Sequence, residues 1–265
     1  MSTKRHALRT ATLLAFAVMP AVPAAAQQLQ PASLPAVTPR QIAANAHAAL
    51  LMVHALGSRG DTIGVGTGFV VSADGLFVTN YHVIEEAQRL VVSLLEGGKY
   101  DQVQFVASDP ASDLALMRIP ATGLRPLKMG SDARMEVGDK VYVMGNPLGM
   151  SGTFSDGMVS GKRPLEGVAM LQISAPISQG SSGGPVMNER GEVIGVATMM
   201  VMGGQNLNMA VPVRYLRPML AQRTSPRPFS PAVLVANPQA GLALVGDHGG
   251  PPRRGGRGGG APARR

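Results

Sequence analysis

The chain has no cysteine among its 265 residues. Without cysteine no disulfide can form, and no lipid can be attached to a cysteine behind an export signal. Small exported domains often need disulfides because they bury too little apolar surface to fold without them. The body of this chain, residues 27–222, is long enough to bury a sizeable core, so a stable exported protein remains compatible with the missing cysteines.

The apolar stretch near the N-terminus lacks the length of a membrane-spanning helix, which needs about 18 uninterrupted apolar residues. Pro20 and Pro23 interrupt it. Basic residues precede this stretch and three alanines, Ala24–Ala26, follow it, which is the pattern of a cleaved export signal. We therefore expect a signal peptide over residues 1–26, a periplasmic or secreted product, and no transmembrane anchor after cleavage.

The body of the chain also lacks a strong charge of either sign. The formal net charge is +8 at pH 7, but the excess lies at the two ends. The signal segment carries three basic residues, and residues 223–265 carry seven arginines against one aspartate. The nearly neutral body between them is not that of a nucleic-acid-binding domain, so nucleic acid is not an expected partner.

Composition divides the remainder of the chain into three segments. Residues 27–39, rich in proline, alanine and glutamine, are predicted to be a linker, and residues 40–222 a folded domain. Residues 223–265 end in the low-complexity run PPRRGGRGGGAPARR, which cannot bury a core and is predicted to be disordered. The arginines of this tail would make at most weak contact with an anionic surface. The alternative is a solvated tail without a partner.

Short apolar runs separated by turn residues fill the predicted domain. Many short strands with few helical periods between them indicate an all-β sandwich or barrel. A helix is predicted to begin at Thr38, an N-cap candidate before Pro39, and to lead into a first strand near Leu51 to Leu56. A second helix is predicted after Pro212, at the end of the domain.

The stretch QGSSGGPV, residues 179–186, places two serines among three glycines. A serine hydroxyl becomes a nucleophile only beside a base, and it needs backbone N–H groups directed at the oxyanion that forms on attack. His82, at the end of an apolar strand, and Asp113, at the start of another, are the candidates for a base and its supporting carboxylate. The alternatives are a glycine-rich turn, a solvated histidine and an aspartate that starts a strand.

Four segments of the chain resemble, in order, the protease domain of the HtrA/Deg branch of chymotrypsin-fold serine proteases. They are GTGFVVSADGLFVTNYHVI, SDLALMRI, GNPLGMSGTFSDGMVSG and SAPISQGSSGGPVMNERGEVIGV. The resemblance covers residues 64–213. It implies two six-stranded antiparallel β-barrels, with short helices at the two ends of the domain and a catalytic cleft between the barrels.

The resemblance also implies a role for each candidate residue. His82 would be the general base, Asp113 would orient it, and Ser182 would be the nucleophile. The oxyanion hole would be formed at Gly180, Ser181 and Ser182. The reaction would be peptide hydrolysis through an acyl-enzyme, and no metal or organic cofactor is expected.

By the same resemblance, five residues would bind the side chain that precedes the cleaved bond. They are Pro176, Ala197, Thr198, Met199 and Asn208. None is a carboxylate, so we expect small or medium aliphatic side chains rather than lysine or arginine at this position. The alternative for the methionines of this region is that they fill the core.

The chain departs from the HtrA/Deg pattern at Ser174, where aspartate is frequent, and at Gln179, where proline is frequent. No PDZ domain is expected after the protease domain, and oligomer formation is left open. The predicted function is that of a serine endopeptidase acting on unfolded or damaged envelope proteins. The alternative is a catalytically silent peptide-binding or scaffold module of the same fold. His47, His54 and His248 show no metal-ligand spacing and are interpreted as incidental.

Overall fold

The computed structural model describes residues 37–146, 152–165, 167–200, 207–222 and 224–235. The predicted signal peptide and the terminal arginine-rich run lie outside these ranges. The helices are α1 (Pro39–Ala49), α2 (Val213–Ala221) and α3 (Pro231–Val235). The strands are β1 (Leu50–Leu56), β2 (Thr62–Val70), β3 (Leu76–Thr79), β4 (Arg89–Leu94), β5 (Lys99–Tyr100), β6 (Gln104–Asp109), β7 (Leu114–Arg118), β8 (Lys140–Gly145), β9 (Thr153–Leu165), β10 (Val168–Ile173), β11 (Pro185–Met187), β12 (Val193–Met200), β13 (Asn208–Pro212) and β14 (Arg227–Pro228).

The first half of the domain is a curled antiparallel sheet with the strand order β14-β6-β7-β3-β2-β1-β4-β5. Six of its eight strands are four residues or longer, and the two at its edges, β5 and β14, have two residues each. Phe69, Phe77 and Phe105 are fully buried in its core. The sheet is held together by this aromatic and aliphatic interior, since apolar burial is the main favourable contribution to folding.

The second half is a closed six-stranded barrel with the order β10-β13-β12-β11-β8-β9. Its interior is filled mainly by β-branched and other aliphatic side chains, among them Val141, Val159 and Ile173. The predicted all-β fold with two barrel-like sheets is confirmed. The difference from the prediction is that only the second sheet is a closed barrel.

The two predicted helices are confirmed. Helix α1 begins with a capping box, in which the Thr38 hydroxyl accepts from the Gln41 amide and the Gln41 side chain accepts from the Thr38 amide. Pro39 occupies the first turn, where its missing N–H leaves no bond unmade. Helix α2 buries three residues of one face, Val213, Leu216 and Met219. No helix in the described ranges is long and apolar enough to cross a membrane.

The prediction of disorder from residue 223 onward is wrong for residues 224–235. Strand β14 pairs with the edge of β6, the Phe229 amide donates to the Val103 carbonyl, and Leu234 of α3 is buried. These residues are ordered despite their composition, because strand addition needs only backbone groups and an exposed sheet edge offers them. Pro228 is tolerated there because β14 is an edge strand.

Candidate active site

His82 and Asp113 are brought together by two neighbouring strands of the first sheet. His82 follows the end of β3 and Asp113 immediately precedes β7, and these strands pair with Thr79 opposite Ala115. The His82 Nδ1 lies 2.8 Å from one carboxylate oxygen of Asp113, and the His82 backbone amide donates to the other at 2.9 Å. With Asp113 ionised, Nδ1 carries the proton and Nε2 is left as the acceptor.

Asp113 is the only non-glycine residue in the described part of the chain with a positive φ, of 55°. Such a conformation is disfavoured for a residue with a Cβ and persists where its surroundings fix it. Here the Asn80 side-chain amide donates to the Asp113 carbonyl at 2.8 Å, and the Tyr81 amide donates to the same oxygen at 3.2 Å. These bonds direct the carboxylate of Asp113 at His82.

Opposing influences act on the pKa of the His82 imidazole. Burial disfavours its charged form and is the largest of them. The hydrogen bond to Asp113 and the negative charges of Asp113 and Glu85 act in the opposite direction and together outweigh burial. The pKa of His82 is therefore raised above its ordinary value of 6.5.

Ser182 lies in the turn that leads into β11, on the second barrel. Its hydroxyl donates to the Thr198 carbonyl at 2.9 Å, and the hydroxyl of the same Thr198 donates to the Asp113 carboxylate. Thr198 thus contacts both Ser182 and Asp113. Ser182 is thus connected to the His82–Asp113 pair through Thr198, which links the two sheets.

The glycines after Ser182 are required by close backbone approach. A Cβ on Gly183 would lie 2.1 Å from the Thr67 carbonyl oxygen, and a Cβ on Gly184 would lie 2.4 Å from the Met144 carbonyl oxygen. Gly183 also has φ of 88°. Any larger residue would push the serine turn, residues 178–184, away from the first sheet. This explains why these two positions are glycine.

The residues before Ser182 form a type II β-turn from Ser178 to Ser181. The Ser181 amide donates to the Ser178 carbonyl at 2.9 Å, Gly180 at the third position has φ of 93°, and Gln179 has no positive φ. The Ser181 amide is used in this turn. Within the described residues, the amides of Gly180 and Ser182 have no intramolecular acceptor. Two unused N–H groups therefore lie on either side of Ser181.

The residues predicted to bind the substrate side chain lie around this turn. Pro176 is exposed and borders a cavity of about 120 Å³, and Ser155 donates to its carbonyl at 2.8 Å. Asn208 is buried and its side chain donates to the Ala175 carbonyl at 2.7 Å. Ala197 is buried and bonds Gly183 and Gly184 through its backbone. Met199 lies in β12 between Thr198 and the end of the strand. Their role in binding substrate stays a prediction.

A larger cavity of about 420 Å³ is lined in part by Gln179 and Gly180 and was not foreseen from the sequence. Strands β1 and β2 and the serine turn line it, with the residues Met52, His54, Thr62, Ile63, Gly64, Val65, Gln179 and Gly180. Burial, followed by the charge of Lys99, lowers the pKa of His54 below its ordinary value. A neutral imidazole and mainly aliphatic neighbours make this a weakly polar cavity. His54, interpreted as incidental from its spacing, is part of its wall.

Two residues that hold the site together were not foreseen from the sequence, and a third was predicted in another role. Asn80 bonds the Asp113 carbonyl and Thr67 bonds the Gly180 carbonyl, whereas Thr198, predicted to bind substrate, contacts the Asp113 carboxylate. Asn80 and Thr67 lie inside the quoted motifs TNYHVI and GTGFVVS, so their position was visible but their partners were not. In the described ranges, no group of three or more histidines and carboxylates is arranged to hold a metal ion.

A histidine held by a carboxylate and a serine in a glycine turn, linked here through Thr198, resemble the arrangement of triad-type serine hydrolases. Together with two barrel-like sheets, this arrangement is typical of chymotrypsin-fold serine proteases. Residues 66–196 match the family model described as a trypsin-like peptidase domain. The predicted resemblance to the HtrA/Deg proteases is confirmed, because this part of the chain is similar to a trypsin-like peptidase domain and to proteases of that branch.

Two curated relatives and one solved structure show the extent of the similarity. The chain is 42% identical over 143 residues to a protein of Chlamydia trachomatis named probable periplasmic serine endoprotease DegP-like, which covers 52% of this chain. It is 39% identical over 176 residues to the mitochondrial serine protease HTRA2 of Bos taurus, which covers 63% of this chain. The crystal structure of the serine endoprotease from Yersinia pestis superposes with a TM-score of 0.63 at 27% identity, over 72% of this chain and 70% of that one.

The curated relatives are considerably longer than the matched region. The alignments span 29% of the Chlamydia protein and 38% of the bovine one. The similarity therefore concerns the peptidase domain and not the whole of either relative.

Proposed function

We propose that the protein is a serine endopeptidase in which Ser182 is the nucleophile, His82 the general base and Asp113 the group that orients His82. The observation that carries this proposal is the contact set around Thr198, which joins the serine of one sheet to the histidine–aspartate pair of the other. A structural role alone does not require a serine, a histidine and an aspartate to converge from three separate turns.

The reaction begins when the Ser182 hydroxyl turns from the Thr198 carbonyl towards Nε2 of His82. The serine oxygen forms a bond to the carbonyl carbon of the substrate, and its proton passes to His82. The imidazolium is stabilised by the adjacent Asp113 carboxylate and then gives this proton to the leaving amine as the C–N bond breaks. Water repeats the sequence on the ester and releases Ser182.

The negative charge that develops on the substrate oxygen is stabilised by the free amides of Gly180 and Ser182. Two fixed N–H dipoles in one place stabilise an oxyanion without reorganisation at the moment of reaction. Ser181 keeps its amide in the turn and acts as scaffold, so the two adjacent serines have different roles.

The substrate proposed here is an extended polypeptide lying across the serine turn. The side chain before the cleaved bond lies on the side of Pro176 and β12, and the chain after it passes the cavity beside Gly180, against β1 and β2. Both sides favour uncharged side chains, because no described residue lining either cavity is a lysine, arginine, aspartate or glutamate. An unfolded or damaged protein exposes such segments, and the predicted export signal supports a periplasmic location for the enzyme.

Labelling with a fluorophosphonate tests the nucleophile directly, because the probe forms a covalent bond to an activated serine. The unsubstituted protein and Ser181→Ala are expected to be labelled and to digest an unfolded model protein. Ser182→Ala is expected to lose both while unfolding at the same temperature. Labelling of Ser182→Ala would contradict the assignment.

One observation favours the silent scaffold as the second candidate. In this structure the Ser182 hydroxyl donates to Thr198 and not to His82. Hydrogen bonds of catalytic groups are frequently loose before substrate binds, so this geometry is compatible with catalysis. An unsubstituted protein that binds peptide but neither cleaves it nor reacts with the probe would establish the scaffold instead.

A further inference from the structure

Thr67, on β2 of the first sheet, is fully buried and contacts the serine turn of the second barrel through two of its polar atoms. Its hydroxyl donates to the Gly180 carbonyl at 2.6 Å, and its backbone amide donates to the Ser182 carbonyl at 2.8 Å. The sequence separation between Thr67 and Gly180 is 113 residues. One residue of the first sheet thus holds the serine turn on both sides of Ser181.

The direction of the hydroxyl bond is fixed by its other neighbour. The Asn146 backbone amide donates to the Thr67 hydroxyl oxygen at 3.0 Å. An N–H group cannot accept, so the single hydroxyl proton of Thr67 must go to Gly180. The carbonyl of Thr67 is itself fixed, because the Thr79 hydroxyl donates to it at 2.7 Å.

These bonds hold the peptides on either side of the one that contains the Ser182 amide. Three consecutive carbonyls of the turn are anchored, those of Gly180 and Ser182 by Thr67 and that of Ser181 by the Gly184 amide at 3.0 Å. Because a trans peptide is planar, the Ser182 N–H points opposite to the Ser181 carbonyl and cannot rotate independently. Without the Thr67 hydroxyl, the peptide between Gly180 and Ser181 loses its only side-chain anchor in the described residues.

We propose that the Thr67 hydroxyl is a positioning group for the oxyanion hole: from the opposite sheet it holds the Gly180–Ser181 peptide, which lies between the Gly180 and Ser182 amides. Thr67 touches neither the substrate nor the reacting atoms. It acts in the transition state, where the two amides bind the oxyanion, and leaves substrate binding in the ground state nearly unchanged. This inference rests on the proposed peptidase function. It adds Thr67, a residue of the first sheet, to the stabilisation of the oxyanion by the second barrel.

The test compares Thr67→Val, which keeps the shape and removes the hydroxyl, with Thr67→Ser, which keeps the hydroxyl. Loss of a direct oxyanion donor costs about 10²–10³-fold in kcat, and loss of its support is expected to cost less, about 10–100-fold. We expect Thr67→Val to lower kcat by that factor with KM within about threefold, and Thr67→Ser to remain close to the unsubstituted protein. Equal kcat values for the valine variant and the unsubstituted protein would overturn the proposal, as would equal losses in both variants.

Inhibitors separate this role from general loosening of the site. A peptide aldehyde forms a hemiacetal with the Ser182 oxygen and places its own oxygen in the oxyanion hole, whereas the matching peptide alcohol binds without forming that bond. Thr67→Val should weaken the aldehyde by the same factor as kcat and leave the alcohol unaffected. The acid limb of the pH profile should not move, because the contacts of His82 with Asp113 are unchanged. Weakening of both inhibitors, or a moved acid limb, would indicate a merely structural role.

A further pair of variants tests the role of the hydroxyl in case Thr67→Val does not fold. Thr67→Ser and Thr67→Ala both lose the methyl group, so their difference reports the hydroxyl alone. Amide hydrogen exchange of residues 178–184, which needs no activity, should be faster in the alanine variant than in the serine variant. Equal exchange would overturn the proposal. An unsubstituted protein that neither cleaves nor is labelled would instead refute the proposed function, and the exchange comparison would still decide the role of Thr67.

Discussion

The two sheets hold their parts of the site by different physical means. The first sheet supplies a hydrogen-bonded histidine–aspartate pair, and side-chain bonds fix it: Asn80 and Thr198 hold Asp113, and Asp113 holds His82. The second barrel supplies a hydroxyl and two amides, and backbone geometry fixes them through a type II turn and two closely approached glycines. The histidine–aspartate pair needs hydrogen-bond partners that fix its orientation. The oxyanion site needs N–H groups that no Cβ obstructs.

The largest expected effect comes from a change in the His82–Asp113 pair of the first sheet. Asp113→Asn keeps the size of the side chain but can donate to Nδ1 of His82, which leaves the proton on the wrong nitrogen. A loss of about 10⁴-fold in kcat is expected from this change of tautomer. Steady-state kinetics of the purified variant measure it.

The matched control for this variant is Asp109→Asn, which changes another carboxylate of the same sheet. Asp109 accepts from the Ser112 hydroxyl at 2.6 Å and has no contact with His82. If Asp109→Asn lost as much activity as Asp113→Asn, the loss would reflect disturbance of the sheet and not the tautomer of His82.

The second effect, intermediate in size, comes from the backbone geometry of the barrel. Gly183→Ala places a Cβ 2.1 Å from the Thr67 carbonyl oxygen at a φ of 88°, so the two sheets must separate locally. Gly123 also has a positive φ, of 71°, but an added Cβ there meets no atom within 4 Å. The backbone conformation alone costs about 1–2 kcal/mol at either position.

Gly183→Ala is therefore expected to lose about 1–3 kcal/mol more unfolding free energy than Gly123→Ala, the usual range for overpacking. It should also lose fluorophosphonate labelling, which Gly123→Ala retains. Denaturant unfolding of the two variants measures the difference. Equal losses of stability would mean that close approach to the first sheet is not what selects glycine at residue 183.

The same contrast explains which features were predictable from the sequence. The strand patterns are periodic and indicated an all-β fold. The motifs around His82, Asp113 and Ser182 are local and carried the family resemblance that implied the two barrels and the candidate triad. The bond from Thr67 to Gly180 was not predictable, because it depends on how two sheets approach each other and not on spacing along the chain. Strand β14 was missed because it lies in a proline-rich segment without apolar periodicity, and its pairing with β6 is made by backbone groups and by Arg227 over the Phe105 ring.

The smallest expected effect concerns the electrostatics of the first sheet. The negative charge of Glu85 raises the pKa of His82, after burial and the contacts of Asp113. His82 accepts the serine proton only when neutral, so activity falls as the pH drops through its pKa. Glu85→Gln removes one influence that raises this pKa, and the acid limb of kcat/KM should move to lower pH, with kcat at high pH unchanged.

Glu86→Gln is the matched control, because Glu86 is the adjacent exposed carboxylate and does not contribute to the pKa of His82. The pH profiles of both variants and the unsubstituted protein should be recorded at low ionic strength, where screening by salt is weakest. If the two glutamine variants move the acid limb equally, the effect belongs to net charge and not to Glu85. If neither moves it, the charge of Glu85 does not act on the pKa of His82, and burial and Asp113 alone determine it.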